Sequence, residues 1–196
     1  MQNIASRDKD IRAELTGRGK KRKDRDAAMD VMEALLTRRS IRKYLPAPLD
    51  DGVVTQLLRA AMAAPTATAQ AYDFIVVQDR AVLSQIRSFH PHAEMLAQAP
   101  VGIVICGDPT REALPGRWIM DCSAAAENIL LAAHGLGLGA CWVGIYPVEE
   151  RINGVRRLFG IPAHVTPLCV VAVGHPGEKK APPDRFKVEL IHREKW

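Results

Sequence analysis

Met29, Met32, Leu35 and Leu36 recur at helical spacing behind a polar stretch that offers Asp26 or Asp30 near its start, which predicts a helix over about 27–37. Pro46 and Pro48 then force an extended turn. Asp50 or Asp51 can cap a second helix carrying Val54, Leu57, Leu58 and Ala61, with Pro65 expected to end it. The segment Pro65 to Asp73 is small, polar and poor in helix formers. It runs into Phe74-Ile75-Val76-Val77, and further on Val101 to Cys106 stops at Gly107-Asp108-Pro109; both apolar blocks read as buried strands, with two helices between them. The strongest helical pattern covers Trp118 to Leu136, where Ala124, Ala125, Leu131 and Ala132 suit close packing. Strands at Ala140 to Val143 and Leu168 to Val173 flank a helix near Val148 to Phe159, and the proline-bearing stretch from His175 reads as an extended arm. Alternating helices and short apolar strands predict α+β or α/β layering around a sheet of about four or five strands.

Gly135-Leu136-Gly137-Leu138-Gly139 looks at first like a dinucleotide fingerprint. That fingerprint opens a helix after a strand, whereas these glycines close one, so they read as a C-terminal cap. With 196 residues, 47% hydrophobic and 25% charged, the chain is expected to form one globular domain over 27–196. No window approaches the roughly 18 consecutive apolar residues of a membrane span, and the N-terminus is charged; a cytoplasmic protein is expected, without a membrane partner. Net charge is +5, yet residues 1–26 carry nine cations against five anions, so the remaining residues are nearly neutral. Residues 1–26 are expected to be a charged, disordered tail rather than a nucleic-acid arm. Cys106, Cys122, Cys141 and Cys169 are too far apart for a C-x-x-C pair and read as small buried hydrophobes, and with only His90 and His92 close together no metal set is assembled.

The densest polar cluster is Arg38-Arg39-Ser40-Ile41-Arg42. Guanidinium forks plus a hydroxyl suit a phosphate and neighbouring heteroatoms, but cations at a helix C-terminus also answer the helix dipole. Pattern alone leaves both readings open. Elsewhere His134 reads as a satisfied helix-end histidine, and Asp121, Glu127 and Asn128 as structural hydrogen-bond partners. Trp118 and Trp142 are core or ligand-facing aromatics in equal measure.

The chain resembles the FMN-dependent nitroreductase family. Three segments carry the resemblance: Arg38 to Arg42; Ala64-Pro65-Thr66-Ala67 running through Gln70 and Tyr72 into Phe74-Ile75-Val76-Val77; and Asp121 to Gly139 followed by Trp142-Val143-Gly144 and Tyr146-Pro147. Val171 to Pro176, Arg185 and the final Trp196 are similar to its last strand and closing arm, so the likeness spans about 27–196. It implies an α+β fold with a mostly antiparallel central sheet, in an arm-exchanged homodimer that builds two FMN sites at its interface. Arg38 and Ser40 would then hold the phosphate end of FMN, with Arg39 assisting and Arg185 returning from the C-terminal region. Arg42 would approach the N1 and C2-carbonyl edge, where a fixed cation stabilises the charge of the reduced ring. Pro65, Thr66, Ala67, Thr68 and Gln70 would reach FMN from the partner chain, and Val143-Gly144 would lie near N5.

Two departures stand out. Thr68 occupies the place of a usual Asn, and Ala71-Tyr72 that of Pro-Trp. The implied activity is transfer of a hydride from NAD(P)H through flavin N5 to an electrophilic small molecule such as a nitroaromatic or quinone, with no protein nucleophile. The altered loop keeps a second reading open, a flavin-binding or flavin-sensing protein without significant turnover.

Overall fold

A computed structural model describes residues 29–66 and 69–196. The expected tail at 1–26, the start of the first predicted helix, and Ala67 and Thr68 lie outside the described residues. Helix α1, Val31–Thr37, begins where the Asp30 carboxylate accepts from the Met32 amide at 2.9 Å, and α2, Asp51–Met62, where Asp50 accepts from the Gly52 amide at 2.6 Å. Helix α2 stops at Met62, earlier than the expected end at Pro65, because a proline already disfavours helical backbone in the residue before it. Strand β1, Tyr72–Val77, starts two residues ahead of its apolar block, with Tyr72 and Asp73 pairing opposite Gly107 and Cys106. Between β1 and β2, Val101–Gly107, the two expected helices reduce to α3, Arg80–Gln85, and short 3-10 turns at Ile86–Ser88 and Glu94–Ala97, with Pro91 in the gap. Then follow α4, Arg117–Gly135; β3, Gly139–Gly144; α5, Glu149–Phe159; and β4, Thr166–Gly174. Beyond β4 the arm is irregular apart from a 3-10 turn at Val188–Leu190.

The four strands form one antiparallel sheet in the order β1-β2-β4-β3. Its two central strands are covered on both faces, which is why they read as continuous apolar runs rather than alternating ones. One face packs Ile103, Ile105, Val171 and Val173 against Leu57 and Ala61 of α2 and Cys122, Ala125 and Ile129 of α4. The other packs Val104, Val170 and Ala172 against Leu83, Ile86, Leu96 and Val155. Trp118 belongs to the core, with its indole over Gly107, whereas Trp142 is only half-buried. All four cysteines are buried and unpaired, as expected, and burial pushes the Cys106 and Cys122 thiols up to about 12.

Helix α4 ends as a cap and not as a nucleotide loop. Gly137 takes a left-handed φ of 74°, the Leu138 amide donates to the Ala133 carbonyl at 2.8 Å, and the Gly137 amide to that of His134 at 2.9 Å. This turn aims β3 back beside the arginine-rich segment. There Ser40 bridges Ala140 in parallel, the Ile41 amide donates to the Ala140 carbonyl at 3.0 Å, and Ile41 packs on Gly139. A Cβ on Gly139 would lie 2.7 Å from the Ile41 side chain. Gly139→Ala should therefore cost about 1–3 kcal/mol through overpacking, read as a lowered denaturation midpoint. In native protein at pH 8 none of the four thiols should react with a disulfide reagent within minutes, and all four should react once it is denatured.

Candidate cofactor site

Arg38 is the residue on which α1 ends, its amide donating to the Ala34 carbonyl at 3.1 Å. The preceding Thr37 hydroxyl donates to the Glu33 carbonyl at 2.6 Å, so its 2.8 Å contact with His134 Nε2 needs the imidazole as donor. Burial and then the Arg38 charge push the His134 pKa down, and the Thr37 contact satisfies it as the helix-end histidine expected from sequence. On the same helix Glu127 Oε1 lies 3.2 Å from Arg38 Nε, and Asn128 donates to the Ala60 carbonyl at 2.9 Å. Glu127 is half-exposed, so its ion pair orients Arg38 more than it stabilises the fold.

Beyond Arg38 the chain is zipped to the segment after β4. The Arg39 guanidinium donates to the Ala181 carbonyl, Lys180 Nζ to the Ser40 carbonyl at 2.9 Å, and the Arg42 amide to Glu178 Oε1 at 2.6 Å. Lys180 also pairs with Glu178 at 3.1 Å, while the Gly177 amide reaches the Lys43 carbonyl at 2.8 Å and the Leu45 amide that of His175 at 2.9 Å. The buried Tyr44 hydroxyl donates to the Ile41 carbonyl at 2.7 Å, and burial pushes its pKa far up. These bonds set the backbone of Arg42 and leave its side chain exposed.

Arg38 and Arg185 meet in one groove of about 250 Å³ between α1 and the arm, walled by Leu35, Leu36 and Phe186 and also lined by Asp184. Arg39 lines a neighbouring cavity of about 290 Å³ with Lys179, Lys180 and His134. Val143 is buried in β3, and Gly144 ends that strand, roughly 13 Å from the Ser40–Ala140 bridge at about 3.3 Å per residue. Space in front of Gly144 is open: a Cβ there would meet only the Trp142 indole nitrogen, at 3.8 Å. Its carbonyl is held from the side by His90 Nε2 at 2.7 Å and an Arg151 guanidinium nitrogen at 3.2 Å.

The other candidates lie apart within this protomer. Pro65 and Thr66 line a separate groove of about 350 Å³ along α4, beside Arg117, Met120 and Asp121, whose carboxyl burial pushes up. Gln70 turns back to the Met62 carbonyl at 3.5 Å, and Ala67 and Thr68 are outside the described residues. Sequence reasoning missed Glu178, Lys180 and Arg151 and weighed His90 only as a metal ligand, because neither an irregular arm or loop nor the periodicity of a helix such as α5 signals which distant carbonyl or amide a polar side chain will meet. Among the described residues no group of three or more metal-ligating side chains converges, and no helix is long and apolar enough to cross a membrane.

The Arg42 amide, and after it Lys180, hold the Glu178 carboxyl below its ordinary range against burial, which works in the opposite sense. A pKa depressed by folding contributes stability that is complete above the unfolded value of about 4.3 and is lost as pH falls through the folded one. Proteolysis in the 175–181 segment should therefore rise as the pH drops below about 4.3, and Glu178→Gln should show the faster cleavage already at neutral pH.

Residues 35–93 and 88–175 match the sequence profile of the nitroreductase family. A relative from Methanothermobacter thermautotrophicus, named provisionally as an NADH dehydrogenase/NAD(P)H nitroreductase, is 48% identical over 169 residues, covering 86% of this chain and 88% of its own. A crystal structure from Parabacteroides distasonis under the same provisional name is 40% identical with a TM-score of 0.81, over 85% of this chain and 98% of that one. The FMN-dependent nitroreductase of Clostridium difficile R20291 is 28% identical with a TM-score of 0.78, over 84% and 99%.

Proposed function

Because the chain belongs to the nitroreductase family, we propose that it is an FMN-dependent oxidoreductase passing a hydride from NAD(P)H to an electrophilic acceptor such as a nitroaromatic or quinone. The observation that carries this reading is the convergence of Arg38 and Arg185, from opposite ends of the described chain, in a single groove. The residues present fit FMN: a two-guanidinium groove suits a phosphate, and the open space over Gly144, which has no side chain of its own, admits a flat ring. When bound, FMN supplies hydride acceptance and donation at N5, which no protein nucleophile is needed to perform.

Arg38 and Arg185 bind the phosphate, with Ser40 and Arg39 beside them. Arg42, its backbone fixed by Glu178, would place a permanent positive charge near the N1 and C2-carbonyl edge and so favour the electron-rich form of the ring. Val143 and Gly144 would present backbone to the N5 side. Pro65, Thr66, Ala67, Thr68 and Gln70 would complete the site of a second copy, in keeping with the separate groove that Pro65 and Thr66 line in their own protomer. A homodimer is further supported by apolar surface left uncovered among the described residues: Val31, Met32, Leu35 and Leu36 are exposed on α1, as are Phe186, Val188, Leu190 and Trp196 along the arm.

Purified protein should be yellow and release FMN, and anaerobic NADH or NADPH should bleach it within seconds. Colourless protein after reconstitution would sink the reading, whereas bound flavin that neither donor bleaches would favour the sensing alternative. Arg38→Ala should weaken FMN retention by about 1.5–3 kcal/mol, the range of one charged hydrogen bond, and Arg42→Ala should slow flavin reduction with less effect on retention. Sedimentation should give a dimer that dissociates when residues 186–196 are deleted.

A further inference from the structure

We propose that His90 is a positioning residue for the flavin edge of β3: it occupies the Gly144 carbonyl so that the strand offers a bound ring an N–H and no free acceptor. This rests on the function proposed above, and in particular on Gly144 lying beside N5. The His92 amide donates to His90 Nδ1 at 3.1 Å, so Nδ1 is the acceptor nitrogen. The hydrogen must then sit on Nε2, which makes the 2.7 Å contact with the Gly144 oxygen a donation from the imidazole. Only 3% of His90 is exposed, and desolvation lowers its pKa, so the ring is neutral and its tautomer set by these two bonds.

Arg151 donates to the same oxygen at 3.2 Å, and a carbonyl has two lone pairs, so both are taken. The direction is right as well. The Ile145 amide bonds across to Leu168 on β4 at 3.0 Å, and antiparallel alternation therefore turns the amide and carbonyl of Gly144 toward the open edge of the sheet. The Ala140 carbonyl, an even number of residues earlier, faces the same edge and accepts from Ile41.

What this does follows from flavin hydrogen bonding. Oxidised N5 is an acceptor and reduced N5–H a donor, so an edge whose carbonyl is spent favours the oxidised ring. Removing His90 releases one lone pair and loosens a glycine peptide that rotates with little steric penalty. Either change favours the reduced ring, so the midpoint potential should become more positive.

The test uses the full-length, FMN-loaded protein as wild type, His90→Phe, His90→Gln and Arg151→Met. Long-range proton–nitrogen spectra of the wild type should show the Nε2–H tautomer at His90. Dye-equilibrated reduction should place His90→Phe roughly tenfold toward reduced flavin, about 30 mV for a two-electron couple. His90→Gln, which keeps an amide donor, should restore most of the difference, and Arg151→Met should shift in the same direction as the Phe variant. An Nδ1–H tautomer, or an unchanged potential in folded, FMN-bound His90→Phe, would overturn the inference. If the Phe variant does not fold, an unchanged potential in Arg151→Met overturns it instead. Wild type that retains no FMN fails the functional reading itself, and this inference with it.

Discussion

Ile41 stands where any side chain on Gly139 would have to be, and its amide is bonded to the next residue of the same strand. That contact gives the arginine-rich segment a fixed address. Residues 38–45 form no helix and only isolated bridges, so their conformation comes from what they lie against: the edge of β3 on one side and residues 175–181 on the other. The Gly137 cap matters for the same reason, since it sets the angle at which β3 leaves α4 and hence where that edge runs.

Charge is then laid onto a backbone already in place. Glu127, Glu178 and Lys180 each touch the arginine segment, and each is too exposed, or too close to its partner in sequence, for its ion pair to count for much in stability. Their effect is orientation. Arg38 is turned along α4 and Arg42 is anchored through its amide, not through its guanidinium. A guanidinium delivered on a rigid backbone loses less freedom on meeting an anion, which suits the phosphate- and flavin-binding role proposed for this segment.

Among the described residues the protomer leaves apolar surface uncovered. Helix α1 buries only Ala34 and turns Val31, Met32, Leu35 and Leu36 outward, while Phe186 on the arm is 77% exposed and Trp196 wholly so. A seven-residue helix of this kind gains little from its own propensity and needs packing on its apolar side. Residues of the Pro65 loop lie on a different groove from Arg38 and Arg185. The homodimer proposed above would meet both observations, a second chain covering the apolar faces and bringing its loop to the arginines.

Much of this was legible in the amino-acid order because it rests on local rules. The buried strands, the long α4, the aspartate caps and the glycine cap follow from periodicity and from the few residues that tolerate a given backbone. Arg38 to Arg42 and Arg185 were visible as residue types, and the family resemblance supplied roles for them. The grip of His90 and Arg151 on Gly144, and the clasp of Glu178 and Lys180 on the arginine segment, were not. Those pairs are separated by 54 and 7 residues in one case and by 136 and 140 in the other, and His90, Glu178 and Lys180 lie on irregular segments while Arg151 sits in the first turn of α5. Periodicity records which side of an element faces the core, and it carries no information about which distant loop a single carbonyl or carboxylate will meet. That is decided only when the packed sheet brings the two ends of the chain to the same edge.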